Sequence, residues 1–416
     1  MDLGDDEAAA LGLNIKLKFN AIKNESRSVG NRLQSILFDA EFVARAGAYF
    51  AKPLVANKRC GSWYVDPQIR AADCYFKSTD GHTHQWSFNT RRLNLHLLPL
   101  IAASNGIVIV DSTRRGKKMP DAISKTIPIW CSVLNAANGF DSTVWVPPSI
   151  VSKSEQGQIA ARIEEWATHL KSLTSEYTLA KPLRPIWFCH GDEFHEPPPE
   201  FPDEFYSIIL CTASFPAQDG QVKMPSYTYV QGAADDHELW AGSLTPEIFW
   251  SRPDLQVPAS EELLCQLIDS IDGSHGPHDP HSRVTQLTQY LSIATQETCS
   301  DVCVIDIREG AEKWPLPAGK KGSRMLSGYL EAICTHFEEF GPRAVILASA
   351  GTDFGPSLAL LLDSLYFDMD GNPLGHRRPS HVSKEEVNKR LVPISSAAGY
   401  VPARMTLNII GSFLRR

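Results

Sequence analysis

The sequence predicts an α/β protein. Two strand–loop–helix units carry that expectation. In one, the apolar run Gly106–Val110 (GIVIV) ends at Asp111, passes through a polar loop and leads into helical periodicity over 121–137. In the other, a strand over 344–349 enters a loop of small residues, and a helix over 356–366 follows with Pro356 near its first turn. A third apolar run, at 206–212, reads as another buried strand.

The other elements follow in order. Residues 15–50 read as helix, because Ile36, Phe38, Phe42, Val43, Ala46 and Phe50 recur at roughly helical spacing. Gly61–Tyr64 reads as a turn running into a short strand, and 93–103 as a helix ended by Gly106. Residues 154–174 read as one long amphipathic helix, with Ile159, Ile163, Trp166 and Leu170 on one stripe, and 185–190 as a strand. Beyond 283 come a strand at 301–307, a helix at 323–339 and a last helix near 403–414. The Gly-, Pro-, Ser- and His-rich stretch 272–283 reads as a linker between an N-terminal α/β domain, 1–271, and a C-terminal one, 284–416. Its His275, His278 and His281 fit a solvated linker better than a metal tract.

A chain of 416 residues suggests two or three domains. No apolar run approaches the roughly 18 residues that span a bilayer, and the acidic N-terminus does not read as a secretory signal. Nine cysteines without a Cys-x-x-Cys pair read as reduced, buried thiols, so a cytoplasmic protein is expected. The net charge of −8 hides a segregation. Residues 1–130 carry 18 Lys+Arg against 12 Asp+Glu, and 377–416 carry 8 against 2, so the acidity sits between them. An RNA backbone is attracted to the two ends and repelled by the middle.

Four runs point to chemistry. In the first, Lys77, Ser78, Thr79, Asp80, Gly81 and His82 form a turn suited to a phosphate, with Arg91 and Arg92 shortly after. In the second, Asp111 and Ser112 stand at the carboxyl end of a strand, where open α/β sheets build their sites. Arg114, Arg115, Lys117 and Lys118 then surround Gly116. In the third, Asp235, Asp236, His237 and Glu238 follow Gln231-Gly232. Their carboxylates suit Mg²⁺, which neutralises a pyrophosphate, or else cap a helix. The fourth is the loop of Gly351, Thr352, Asp353 and Gly355 opening a helix. It is similar to the loop of dual-specificity phosphatases but lacks their nucleophilic Cys and their Arg, so phosphate binding is expected without thiolate chemistry.

Phe50–Val65 (FAKPLVANKRCGSWYV), Phe76–Leu95, Ser112–Trp130, Tyr229–Trp250, Gly351-Thr-Asp353, Pro402–Asn408 and Ser412–Leu414 together resemble the initiator tRNA phosphoribosyltransferase family. The resemblance implies transfer of ribose 5-phosphate from phosphoribosyl pyrophosphate to the 2′-hydroxyl of adenosine 64 in initiator methionine tRNA, which keeps that tRNA from elongation. It also implies a C-terminal domain similar to dual-specificity phosphatases with a degenerate phosphate loop. The chain departs from the family pattern at Thr352, where a Lys is usual, and at Ala403, where a Ser is usual.

On this reading Mg²⁺ is held by Asp235, Asp236 and Glu238, and the base is one of Asp111, Asp236 and His237. The donor is anchored by residues 77–82, Ser112 and the 351–355 loop. RNA is held by Arg91, Arg92, Arg114, Arg115, Lys117, Lys118 and Arg404, with no membrane and no obligatory protein partner. The alternative is an inactive phosphatase-like module that binds RNA or a phosphoprotein.

Overall fold

A computed structural model describes residues 25–416, apart from 59, 176, 272–283, 297–301, 350–351, 379–380, 399–400 and 416. The linker expected at 272–283 lies outside the described residues.

Helix α1 (Val29–Phe50) starts where the Ser28 hydroxyl accepts the Asn31 amide, and it ends at Ala51 in a left-handed conformation. Its buried stripe of Leu33, Ile36, Val43 and Ala46 lies on a five-stranded sheet. That sheet is built from β1 (Leu54–Asn57), β2 (Arg70–Cys74), β3 (Gly106–Asp111), β4 (Leu183–Cys189) and β5 (Tyr206–Thr212), in the order β2-β1-β3-β5-β4. All its pairings are parallel. β1, β3 and β5 are buried along their whole length, as strands covered on both faces are.

Helices α2 (Leu97–Ser104), α3 (Ile127–Ala137), α4 (Lys153–Ala160) and α5 (Ile163–Leu173) contribute to the core on the second face. The helix expected over 154–174 is therefore two helices, parted at Ala161 and Arg162. The segment 121–137 begins with a π-helical turn, Ala122–Thr126, before α3. Gly61–Tyr64 is a 3₁₀ turn between β1 and β2, and the strand after it, β2, begins only at Arg70. A hairpin of β6 (Gln221–Lys223) and β7 (Thr228–Val230) and helices α6 (Pro246–Ser251) and α7 (Glu261–Asp269) complete this half.

Behind the sheet lies a polar knot. The buried carboxylate of Asp39 accepts hydrogen bonds from Tyr229 Oη (3.0 Å) and the Phe215 amide (3.2 Å), and His190 Nδ1 stands 3.1 Å away. Burial raises the Asp39 carboxyl to about 6 despite these partners.

The C-terminal half has its own sheet, β10-β11-β9-β8, formed by β8 (Thr285–Gln286), β9 (Leu291–Ala294), β10 (Cys303–Asp306) and β11 (Ala344–Leu347). Only β8 runs antiparallel. Helices α8 (Gly319–Phe340), α9 (Phe354–Tyr366), α10 (Lys384–Ala398) and α11 (Arg404–Phe413) enclose it. Arg390 of α10 is 4% exposed and is the polar centre of this half. Its guanidinium donates to the carbonyls of Asp363 (2.8 Å) and Phe367 (2.9 Å) and to the carboxylates of Asp363 (2.9 Å) and Glu386 (3.1 Å). Among the described residues, no helix is long and apolar enough to cross a membrane.

Removing one partner of a buried ion pair leaves the other uncompensated. Arg390→Ala is therefore expected to destabilise the C-terminal half by about 3–5 kcal/mol. Chemical denaturation followed by near-UV circular dichroism checks this. A loss below about 1 kcal/mol would show that the network is replaceable.

Candidate active site

The chain leaves β1 for β2 on one side and resumes at β3 on the other, so the strand order reverses between β1 and β3. Loops leaving adjacent strands in opposite directions open a crevice at their carboxyl ends. A cleft of about 380 Å³ lies there. Asn57 and Asp111, the last residues of the two strands, border it, as do Lys58, Cys60, Tyr75 and Phe76.

Three of the four runs singled out in the sequence meet in this cleft. From the first, Lys77, Ser78, Thr79 and His82 border it. Asp80 and Gly81 shape the turn instead of facing the cavity. The Asp80 carboxylate accepts from Ser87 Oγ (3.3 Å) and Asn89 Nδ2 (3.2 Å). Gly81 is packed so closely on the π-helical turn that a Cβ would stand 2.7 Å from Thr126 Oγ1 and 2.9 Å from the Asp121 carbonyl. That turn buries Lys125, whose ammonium meets Thr83 Oγ1 (3.2 Å), Glu155 (3.2 Å) and Asp121 (3.4 Å). Partial burial favours the neutral form of Glu155, but Trp86, Lys125 and Thr83 together hold its carboxyl below the usual range.

From the second run, Asp111, Ser112, Thr113, Arg114, Arg115 and Lys117 border the cleft, together with Asp121. Ser112 is 5% exposed, and its Oγ has no hydrogen-bond partner among the described residues. A buried hydroxyl without a partner costs on the order of 1–3 kcal/mol unless a ligand or solvent satisfies it. Lys118 lies outside the cleft, 3.7 Å from Asp192.

The third run holds the second in place. Gln231 is buried, and its side-chain amide works as a strand would: Oε1 accepts the Gly116 amide (2.7 Å) and Nε2 donates to the Lys117 carbonyl (2.8 Å). Gly232 has φ +66°, and a Cβ there would stand 2.6 Å from the Thr113 carbonyl. Arg32 donates to the Ala233 carbonyl (2.6 Å), and Tyr64 Oη accepts the Ala234 amide (3.2 Å). So fixed, Asp235 and Asp236 face Arg114, which pairs with both. Asp235 Oδ1 also accepts from Cys60 Sγ at 2.7 Å. His237 turns toward Trp63, with ring centroids 5.9 Å apart, and does not border the cleft. Among the described residues, no three His, Cys, Asp or Glu side chains gather as a metal cage. The Glu238 side chain lies outside what the structure describes.

The remaining candidates lie elsewhere. Arg91 borders a seam with α10 of the C-terminal half, and Arg92 stacks over Tyr75 at 4.4 Å. Arg404 is exposed at the start of α11. Gly351 is outside the described residues. Thr352, Asp353 and Gly355 do not border the cleft. Thr352 Oγ1 donates to the Ser349 carbonyl (2.8 Å), the Asp353 carboxylate accepts the Ala403 amide (2.7 Å), and Gly355 packs against Ile293. Burial raises the thiols of Cys74, Cys131, Cys189, Cys211, Cys303 and Cys334, which disfavours their thiolate forms.

Sequence reasoning missed Asn57, Lys58, Tyr75 and Asp121. Asn57 ends β1, and Lys58 and Tyr75 follow β1 and β2, strands too short to show periodicity, and Asp121 stood unremarked beside the basic loop.

Residues 22–272 match the family model of the Rit1 N-terminal domain, and residues 312–414 match that of the Rit1 DUSP-like domain. The tRNA A64-2′-O-ribosylphosphate transferase of Saccharomyces cerevisiae is 46% identical over 262 residues, covering 55% of this chain and 51% of the yeast protein. The match thus spans about half the length of that relative. An uncharacterized protein of Schizosaccharomyces pombe is 34% identical over 444 aligned positions, covering 94% of this chain and 95% of the relative. No solved structure matches the chain. Matched in both halves, and along nearly its whole length by the second relative, the chain belongs to the family built from a Rit1 N-terminal domain and a Rit1 DUSP-like domain.

Proposed function

We propose that this protein transfers ribose 5-phosphate from phosphoribosyl pyrophosphate to the 2′-hydroxyl of adenosine 64 in initiator methionine tRNA. The convergence of the 77–82 and 111–117 runs in one cleft at the β1/β3 reversal carries this reading. Lys58, Lys77, Arg114, Arg115 and Lys117 border that cleft opposite Asp111, Asp121, Asp235 and Asp236, and the unsatisfied Ser112 hydroxyl lies among them. A donor carrying a phosphate and a pyrophosphate suits such a wall. The name of the yeast relative, which specifies a tRNA A64 2′-oxygen, supports the same acceptor. The reading places the protein in the cytoplasm and needs no obligatory protein partner.

In the transfer, the RNA 2′-oxygen forms a bond to C1 of the donor, the C1–pyrophosphate bond breaks, and the 2′-hydroxyl proton passes to a base. Asp111 is the best placed of the three base candidates. It ends the central strand β3, whereas Asp236 is paired with Arg114 and His237 faces away. Ser112 and the 112–117 loop anchor phosphate, and Arg115 and Lys117, both exposed, extend the cationic wall toward the RNA backbone. Asp235 and Asp236, held by Arg114, do not form a cage, but one or two carboxylates suffice where Mg²⁺ arrives with phosphates. Mg²⁺ bound there would offset the charge of the departing pyrophosphate.

Incubation with donor and initiator tRNA, followed by mass spectrometry of the digested RNA, tests the reading; it requires a ribosyl-phosphate increment on the fragment holding adenosine 64. Asp111→Asn is expected to lower kcat by about 10²–10⁴-fold, the range of a lost general base, with the donor KM little changed. Retained turnover would remove Asp111 from the chemistry.

Gln231→Leu strips the Gly116 amide and Lys117 carbonyl of their partners. It is expected to raise the donor KM about tenfold and cost about 1–3 kcal/mol of stability. Titration of donor in steady-state assays checks the first, and an unchanged KM would mean that the loop holds no donor phosphate.

Arg115→Ala combined with Lys117→Ala should weaken tRNA binding and reduce the slope of log K against log salt by about 2, one per phosphate contact. Filter binding between about 50 and 200 mM salt reads the slope. An unaltered slope would place the RNA backbone elsewhere.

A further inference from the structure

Asn57 is the last residue of β1, 2% exposed, and the reading of the sequence gave it no role. Ala56 pairs with Val110, so Asn57 and Asp111 leave the sheet side by side at the point where the strand order reverses. The Asn57 side chain reaches both walls of the cleft. Its Oδ1 accepts the Phe76 amide at 2.7 Å. Its Nδ2 donates to the Phe76 carbonyl at 2.9 Å and to Asp111 Oδ2 at 2.9 Å. An N–H can bond only to the oxygen of the side-chain amide, so the Phe76 amide fixes which way Asn57 points. The NH₂ group must then face Asp111.

We infer that Asn57 is a positioning residue for the transfer, holding the Asp111 carboxylate in the orientation from which it takes the 2′-hydroxyl proton. The inference rests on the assignment of Asp111 as base proposed above. Two donors grip that carboxylate. Asn57 Nδ2 holds Oδ2, and the Ser112 amide holds Oδ1 at 2.9 Å. A base must be held within a fraction of an ångström of its productive geometry, and a second donor is what stops the carboxylate from rotating. The same side chain ties Phe76, and with it the start of the 77–82 turn, to β1. One amide therefore sets the spacing between the donor wall and the base.

No other side chain of similar size performs both tasks. Asp keeps the acceptor for the Phe76 amide but has no N–H for the Phe76 carbonyl or for Asp111, and it sets a second carboxylate against the first. Leu removes the bonds that Asn57 makes to the Phe76 amide, the Phe76 carbonyl and Asp111 Oδ2.

The test uses the full chain, phosphoribosyl pyrophosphate and initiator tRNA, with kcat and the donor KM measured separately. Asn57→Asp is the primary variant, and Asn57→Ser, smaller and neutral, serves where the first does not fold. Each is expected to lower kcat by at least about tenfold while the donor KM stays within about threefold, because the base is misaligned and the phosphate contacts remain. In an Asp111→Asn background the same substitution should lower kcat no further, since a residue acting through Asp111 has nothing left to position. The exchanged pair, Asn57→Asp with Asp111→Asn, restores a donor and an acceptor across β1 and β3. It should regain part of the melting temperature lost by Asn57→Asp without regaining turnover.

A raised donor KM at unchanged kcat would make Asn57 a structural tie of the donor loop and overturn the inference. So would losses that multiply in the double variant. Full turnover of Asp111→Asn alone would instead bring down the base assignment, and the positioning role with it. An inactive Asp111→Asn beside a fully active Asn57→Asp refutes only the inference.

Discussion

Strands β1 and β3 lie side by side at the middle of a parallel sheet, and the chain departs from them toward opposite edges. The cleft depends on that pairing. Parallel strands present all their carboxyl ends on one edge of the sheet, so Asn57 and Asp111 arrive together without any bend in the backbone. The apolar residues of β3 are fully buried, and the cost of displacing them keeps those two polar ends in register. The loops supply cations, but the sheet decides where the cations meet.

The sequence revealed the parts of the site more readily than their division of labour. β3 was legible because five apolar residues end at an aspartate, and the 111–118 loop because four cations flank a glycine. β1 and β2 were not, since four- and five-residue strands show no period, and Arg70–Cys74 mixes charges with alanines. α10 was missed because Pro393 and a charged first half break its pattern, although Arg390 is buried within it. The Gln231–Gly232 pair drew notice for its acidic neighbours. Its contribution is a clamp on residues more than a hundred positions away, a relation no local pattern encodes. Asp80 and Gly81 looked like phosphate ligands and proved to be the scaffold of their turn, because a π-helical turn presses against them.

The cleft also neutralises itself. Arg114 stands between Asp235 and Asp236, and the half-exposed Asp236 adopts a left-handed conformation with φ +52°. In the C-terminal half the polar groups of the 352–355 loop are likewise met within the domain: Ala403, just before α11, binds the Asp353 carboxylate. What resembled a phosphate cradle in the sequence is joined to the closing helix, so its conformation depends on the last residues of the chain.

Helix α10 has a further consequence. Leu391 is packed into the core of the C-terminal half, and its neighbour Val392 into the core beneath the first sheet. Consecutive residues of one helix therefore belong to two hydrophobic cores. Melting of either core takes an anchor from the other, so the helix couples the two halves through Val392. A substitution far out in the C-terminal half can thus be felt at Arg91 and Asn94, which line the same seam as Val392, without any change in the residues that border the cleft. For this chain, the stability of the second half is a thermodynamic input to the first.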